Sequence, residues 1–101
     1  MALNLNQVFL PSEDIVARVI EGELIIVPLA AGIGDLEDEL YTLNDTGRSV
    51  WELLDGQNNL GNVISAMEVE YDAPKDQISR DVFGLVEELV KRKILVEVPS
   101  V

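Results

Sequence analysis

The chain has 101 residues, 48% of them hydrophobic, and its 19 acidic residues outnumber 7 basic ones, which gives a net charge of −12. A chain of this size buries about 60–65% of its unfolded surface, so residues 1–101 are expected to form one folded domain. The negative charge disfavours nucleic acids and anionic membranes and suits a partner that carries lysine or arginine. No hydrophobic run approaches the ~20 residues of a membrane-spanning helix, and no signal-peptide pattern is present, so the cytoplasm is the expected compartment.

The absence of histidine and cysteine limits the chemistry that the chain can perform. It removes the commonest general base, the thiol nucleophile and every metal site built on these two residues. Acidic residues fall mostly in predicted turns and on polar helix faces, where nothing encloses a carboxylate pair. The serines have no histidine to activate them, so an enzyme working with serines or carboxylates alone is a weak alternative. We therefore expect a non-catalytic protein that needs no cofactor and no metal.

The first part of the chain predicts an arm followed by a β-hairpin. Residues 1–12 are expected to form a loose arm, in which Pro11 interrupts any strand. Residues 15–20 and 24–27 are β-branched and apolar, and the Glu-Gly-Glu connection between them is typical of a hairpin. Pro28 ends the second strand because it cannot donate a hydrogen bond to the ladder.

A third strand and a capped helix are predicted next. Residues 30–37 read as an acidic loop and 38–43 as a strand. Asn44 has the side chain of a helix cap, and Gly56 is placed to end the helix in the left-handed conformation. The helix carries one apolar face, whose members recur at i, i+3, i+4 and i+7: Gly47, Val50, Trp51 and Leu54. Trp51 is expected to be buried between this helix and the sheet.

Two further helices and a final β-like segment complete the chain. The second helix is expected to begin near Asn58 or Asn59, and the third to cover residues 74–93. The second helix has apolar residues at helical spacing: Leu60, Val63, Ile64, Met67 and Tyr71. The third helix has one row expected to face the body: Ile78, Val82, Leu85 and Leu89. Its apolar arc is wider than one packed face requires, because Phe83, Val86 and Val90 extend it sideways.

These elements predict an α+β fold: a three-stranded antiparallel sheet followed by three helices, in a winged helix-turn-helix-like arrangement. Short connections make a 1-2-3 meander the simplest sheet. The third strand is then an edge, with unpaired amides and carbonyls. Residues 94–98 are expected to return to the body.

The sequence from 15 to 96 resembles the PqqD-like family in four segments, taken in order: IVARVIEGELIIV, YTLNDTGRSVWELLDG, VISAMEVEYDAP and ISRDVFGLVEELVKRKILV. The resemblance implies a three-stranded sheet joined to three helices. It also implies a peptide chaperone, known as a RiPP recognition element, which binds the leader of a ribosomally made precursor peptide. Such a domain presents the leader to a modifying enzyme, for instance a radical S-adenosylmethionine enzyme in pyrroloquinoline quinone (PQQ) biosynthesis. Other peptide-modifying pathways are equally open.

The physical properties of the predicted fold favour the same mechanism. An extended peptide can add a strand to an exposed sheet edge, with main-chain bonds for affinity and pockets for specificity. The predicted binding residues on the edge strand are Glu39, Leu40, Tyr41, Thr42 and Leu43. The predicted pocket wall is the sideways row of the third helix: Phe83, Val86 and Val90. The alternative interpretation is that these three side chains only cover the sheet.

The main competing function is that of a winged helix-turn-helix protein that binds nucleic acid or regulates its use. Cations of the third helix include Arg80, Lys91, Arg92 and Lys93. They are diluted by four acidic residues: Asp76, Asp81, Glu87 and Glu88. No stretch is basic over two turns, so the sequence favours peptide binding.

Overall fold

The protein is described by a computed structural model over residues 3–29 and 41–99. Its strands and helices are, in chain order, β1 (Phe9–Pro11), β2 (Ile15–Ile20), β3 (Glu23–Pro28), β4 (Tyr41–Leu43), α1 (Asp45–Leu53), α2 (Leu60–Glu70), α3 (Lys75–Lys91) and β5 (Leu95–Glu97). The predicted acidic loop and the beginning of the predicted third strand, 38–40, lie outside the described residues. The α+β class is confirmed.

Strands β2, β3 and β4 form the predicted antiparallel meander, with β3 in the centre. The hairpin between β2 and β3 turns through two residues with positive φ, Glu21 at 52° and Gly22 at 84°. Positive φ at both central positions defines a type I′ turn, whose twist matches that of the flanking strands. The short strand β4 pairs with β3 so that Thr42 lies opposite Ile25.

The expectation of a loose N-terminal arm, residues 1–12, is wrong for residues 3–12, the part of it that the structure describes. Strand β1 pairs antiparallel with β5, and Phe9, opposite Glu97, has a side chain that is 0% exposed. The Phe9 carbonyl also accepts a hydrogen bond of 3.0 Å from the Gly56 amide. Pro11 is tolerated because it is the last residue of β1, where a missing amide donor costs little.

The predicted cap of the first helix is confirmed, and the second helix begins just after Asn59, as expected. Asn44 Oδ1 accepts a hydrogen bond of 2.9 Å from the Gly47 amide, and Asn59 Oδ1 accepts one of 2.8 Å from the Asn62 amide. Each bond satisfies an amide in the first helical turn that has no partner within the helix. Gly56 has the expected positive φ of 84°, but α1 has already ended at Leu53.

The core lies between the three-stranded sheet, the three helices and β5. Helix α1 packs against β3 and α2, while α3 packs against α2 and β5. Trp51 is buried, with 9% of its surface exposed, as expected from the apolar face of α1. Aromatic truncation in such a core costs about 3–5 kcal/mol, so Trp51 is one of the residues on which folding depends.

Helix α3 ends in a Schellman motif that turns the chain back into β5. The Ile94 amide donates to the Leu89 carbonyl at 2.9 Å, and the Lys93 amide donates to the Val90 carbonyl at 3.0 Å. Lys93 has a φ of 63°, at the position that usually carries glycine. The turn buries Ile94 and Leu95 and thereby sets β5 beside β1.

Candidate functional site

A cleft of about 570 Å³ opens between β4, the beginning of α1 and the first half of α3. The end of α2 also borders the cleft, through Met67 and Tyr71. Its lining combines 14 residues: Thr42, Leu43, Asn44, Thr46, Gly47, Val50, Met67, Tyr71, Ala73, Gln77, Ile78, Asp81, Val82 and Leu85. The floor is apolar and the rim is polar, which is the usual composition of a site that binds a ligand with both apolar and polar groups.

Core side chains form the floor of the cleft. Five of the lining side chains are buried hydrophobics: Leu43, Val50, Met67, Ile78 and Val82. Leu85 is half-buried and lies at the side of this floor. An apolar side chain that entered the cleft would therefore contact the core directly, and its burial would be favourable at about 25 cal/mol per Å².

Strand β4 borders the cleft with a free edge. Among the described strands, β4 pairs only with β3, so its other side faces away from the sheet. Gly47 allows the close approach of α1 to this strand, because a Cβ there would lie 3.2 Å from Leu43 Cβ and Cδ2. An unpaired strand edge beside an apolar cleft can accept an additional strand and the side chains that it carries.

The beginning of β4 is held by the end of α3. The Arg92 guanidinium carbon lies 4.8 Å from the centre of the Tyr41 ring, and Arg92 Nε donates to Glu88 Oε1 at 2.7 Å. Burial raises the pKa of the Tyr41 phenol above its ordinary value; Glu88 adds to the rise and Arg92 opposes it. Tyr41 therefore remains neutral near pH 7 and anchors the edge strand by stacking.

A hydroxyl pair fixes the lower end of the cleft. Ser49 Oγ and Tyr71 Oη lie 3.0 Å apart, within hydrogen-bond distance, and Ser49 Oγ donates to Glu70 Oε1 at 3.3 Å. The Tyr71 amide donates to the Met67 carbonyl at 2.8 Å, at the end of α2. The Tyr71 ring is thus held from both its hydroxyl and its backbone.

The structure does not place the predicted pocket wall in this cleft. Val86 is 0% exposed and belongs to the core, so it offers no surface to a ligand. Phe83 and Val90 are partly buried against the core and do not line the cleft. On the predicted edge strand, Thr42 and Leu43 line the cleft and Tyr41 does not, whereas Glu39 and Leu40 lie outside the described residues.

The other flank of α3 supplies the cleft wall that the sequence did not identify. This flank carries Gln77, Asp81 and Leu85, which follow one another at intervals of four residues and so share one side of the helix. Helical spacing assigns Leu85 to the body, because it belongs to the same apolar row as Ile78. The sequence did carry a signal for this wall: the row of Gln77, Asp81 and Leu85 mixes polar and apolar residues and lies next to a fully apolar row on the same helix. Such a mixed row is typical of the rim of a binding cleft.

The described residues contain no group of three or more acidic, histidine or cysteine side chains that could hold a metal ion. Over the same residues, the helices are too short or too polar to cross a membrane. The site is thus a strand edge, an apolar floor and a polar rim.

The fold and the cleft define a small α+β domain whose free strand edge borders an apolar cleft. The family model described as Coenzyme PQQ synthesis protein D (PqqD) matches residues 23–95, a range that includes β3, β4 and all three helices. The chain belongs to the PqqD family.

One relative and one solved structure illustrate the similarity. The "PqqA binding protein" of Gluconobacter oxydans (strain 621H) is 28% identical over 58 residues, which cover 57% of this chain and 60% of that relative. The match thus spans about 60% of the length of that relative. The structure of TbiB1 in complex with the TbiA(beta) leader peptide superposes with a TM-score of 0.73 at 19% identity, covering 90% of this chain and 99% of that chain. The three-stranded sheet with three helices is therefore a known arrangement.

Proposed function

We propose that the protein is a non-catalytic peptide chaperone that binds the leader segment of a ribosomally made precursor peptide. The leader adds as a strand to the free edge of β4 and inserts side chains into the cleft. The bound leader is presented to a peptide-modifying enzyme, such as a radical S-adenosylmethionine enzyme.

The observation that carries this proposal is the position of the free edge beside the cleft. Thr42 and Leu43 belong to the edge strand and also line the cleft. A peptide paired with β4 would therefore make main-chain hydrogen bonds and place alternate side chains towards α3. The other outer strand of this sheet, β2, is mostly exposed and lines neither this cleft nor the smaller pocket beside Asn59.

The energetics also favour a cleft beside the edge. Ordering a flexible peptide costs about 2–5 kcal/mol, which main-chain pairing alone does not offset. Burying one leucine-sized side chain contributes about 1.5–3 kcal/mol, so one or two anchors in the cleft would suffice. The floor formed by the buried Leu43, Ile78 and Val82 provides the surface for such anchors.

The comparisons support the choice of ligand. A relative is named for binding PqqA, and a protein of the same fold was solved with a leader peptide. Membership of the PqqD family supports a role in PQQ biosynthesis, and we propose this pathway over other peptide-modifying systems.

Hydrogen–deuterium exchange with two synthetic probes tests the proposal. The probes are the PqqA peptide of Gluconobacter oxydans and the TbiA(beta) leader peptide. We expect PqqA to slow exchange at Tyr41–Leu43, because these amides would gain hydrogen bonds or be shielded from water. Amides of Ile15–Ile20 serve as the internal control and should be unaffected.

Each outcome has a distinct meaning. Protection by the TbiA(beta) leader alone would support leader binding but contradict the assignment to PQQ biosynthesis. Protection confined to β2 would place the peptide on the opposite edge. Binding of neither probe would contradict the proposed function.

A further inference from the structure

Asp81 distinguishes the polar rim of the cleft. It is the only Asp, Glu, Lys or Arg among the lining residues and is exposed on α3. Across residues 3–29 and 41–99, no cation or hydrogen-bond donor is paired with its carboxylate, whereas the neighbouring charges Glu88 and Arg92 pair with each other. Asp81 thus presents an uncompensated negative charge to whatever occupies the cleft.

The direction of α3 relative to β4 determines what the carboxylate would meet. Arg92, after the end of α3, stacks on Tyr41 at the beginning of β4. Gln77, near the beginning of α3, lines the cleft together with Asn44, which follows β4. The helix and the strand therefore border the cleft from two sides and run in opposite directions. A peptide paired with β4 would run along α3 over the turns that carry Asp81 and Leu85.

The spacing of side chains along α3 is close to the spacing of side chains along an extended peptide. Asp81 and Leu85 are one turn apart, about 6 Å along the helix axis. Alternate side chains of an extended peptide point to the same side and lie about 6.6–6.8 Å apart. Two such side chains would thus meet Leu85 and Asp81 in turn.

We infer that Asp81 is a specificity-determining residue that selects peptides carrying lysine or arginine two positions from an apolar anchor. The apolar side chain lies on the floor beside Leu85, and the cation pairs with the Asp81 carboxylate at the rim. This inference rests on the proposed function and deepens it by naming the chemistry of the leader. The net charge of −12 acts in the same direction, because it attracts a cationic peptide over long range.

A peptide-display selection with random sequences tests the inference. Random 12-residue peptides are selected on the wild-type protein and on Asp81→Asn, Asp81→Lys and Glu87→Lys. Glu87 is exposed on α3 outside the cleft, so Glu87→Lys makes the same change in net charge as Asp81→Lys. Circular dichroism checks that each variant is folded.

We expect wild type and Glu87→Lys to enrich lysine or arginine two positions from an apolar residue. Asp81→Asn should lose the enrichment, and Asp81→Lys should replace the cation by aspartate or glutamate. In a synthetic peptide from the selection, changing the cation to glutamine should weaken binding to wild type roughly threefold to tenfold, and hardly change binding to Asp81→Asn.

Two failures are distinguishable. Selected peptides that protect Tyr41–Leu43 from exchange but show no cation preference, or keep it in Asp81→Asn, would overturn the inference and leave the proposed function intact. A selection that yields no peptide binding at β4, with no binding of the PqqA or TbiA(beta) probes, would overturn both.

Discussion

Leu85 and Phe83 are both half-buried on α3, but only Leu85 lines the observed cleft. Phe83 belongs to the pocket wall that was predicted from the sequence, so substitutions of the two residues can distinguish the two binding surfaces. Leu85→Ser should weaken binding of a peptide that protects β4 by at least ~1 kcal/mol, because it removes an apolar contact in the cleft. Phe83→Ser should leave the affinity of the folded protein nearly unchanged, since Phe83 lies outside the lining. Isothermal titration measures both, and equal losses of affinity would restore the Phe83 side of α3 as the binding wall.

Lys93 offers a second test at the scale of one residue. Its φ of 63° costs a lysine roughly 1–2 kcal/mol that glycine does not incur. Lys93→Gly should therefore raise the free energy of unfolding by about 1 kcal/mol in urea denaturation. The matched control is Lys91→Gly, inside α3, which should lower it by about 1 kcal/mol. A destabilising Lys93→Gly would show that the lysine side chain has a compensating role.

At the scale of single residues, features that depend on neighbours in the sequence could be predicted, whereas features that depend on distant parts of the chain could not. The cap at Asn44 and the start of α2 near Asn59 were predictable, because a cap involves only a side chain and an amide three residues away. The side of α3 that faces β4 was not, since helical spacing defines an apolar arc but not which neighbour covers each flank. Val86 is an example: it was predicted to belong to the pocket wall because it widens the apolar arc of α3, but it is fully buried in the core.

The pairing of β1 with β5 should contribute strongly to stability. Phe9→Ala would open a cavity where a fully buried aromatic ring now lies, at a cost of about 3–5 kcal/mol. Its thermal midpoint should fall by many degrees, whereas Leu5→Ala, at a side chain 52% exposed, should change stability by less than ~0.5 kcal/mol. An unchanged midpoint for Phe9→Ala would mean that the first strand is not part of the folded core.

The elements also differ in how far they could be predicted. The hairpin and the three helices followed from apolar periodicity, proline and capping residues, which act within a few residues. The β1–β5 pair joins three-residue strands from opposite ends of the chain. Segments this short carry no periodicity, and Pro11 reads as a strand breaker until its position at the strand end is known.

At the scale of the whole molecule, the net charge of −12 should make salt act in opposite directions on folding and on binding. Raising sodium chloride from about 20 mM to about 200 mM shortens the screening length from roughly 20 Å to roughly 7 Å. The thermal midpoint should rise, because self-repulsion in the compact state weakens. The association rate of a lysine-containing peptide should fall, as stopped-flow fluorescence would show.

The same salt series contains its own control. A peptide in which glutamine replaces the cations should lose little association rate over this range, because long-range attraction to the acidic surface is already absent. If both peptides slow equally, the change reflects the protein's own compactness and not charge steering.

The antiparallel arrangement of β1 and β5 also determines how the domain would respond to mechanical force. Phe9, where β1 begins, lies opposite Glu97, where β5 ends, so the two flanking segments leave the sheet at the same side. A pulling force applied through both segments would load the interstrand hydrogen bonds one after another, as in opening a zipper, and not all together in shear. Tension along the chain would thus separate β1 from β5 first, beginning at the Phe9–Glu97 pair, while the β4 edge and its cleft would still be intact.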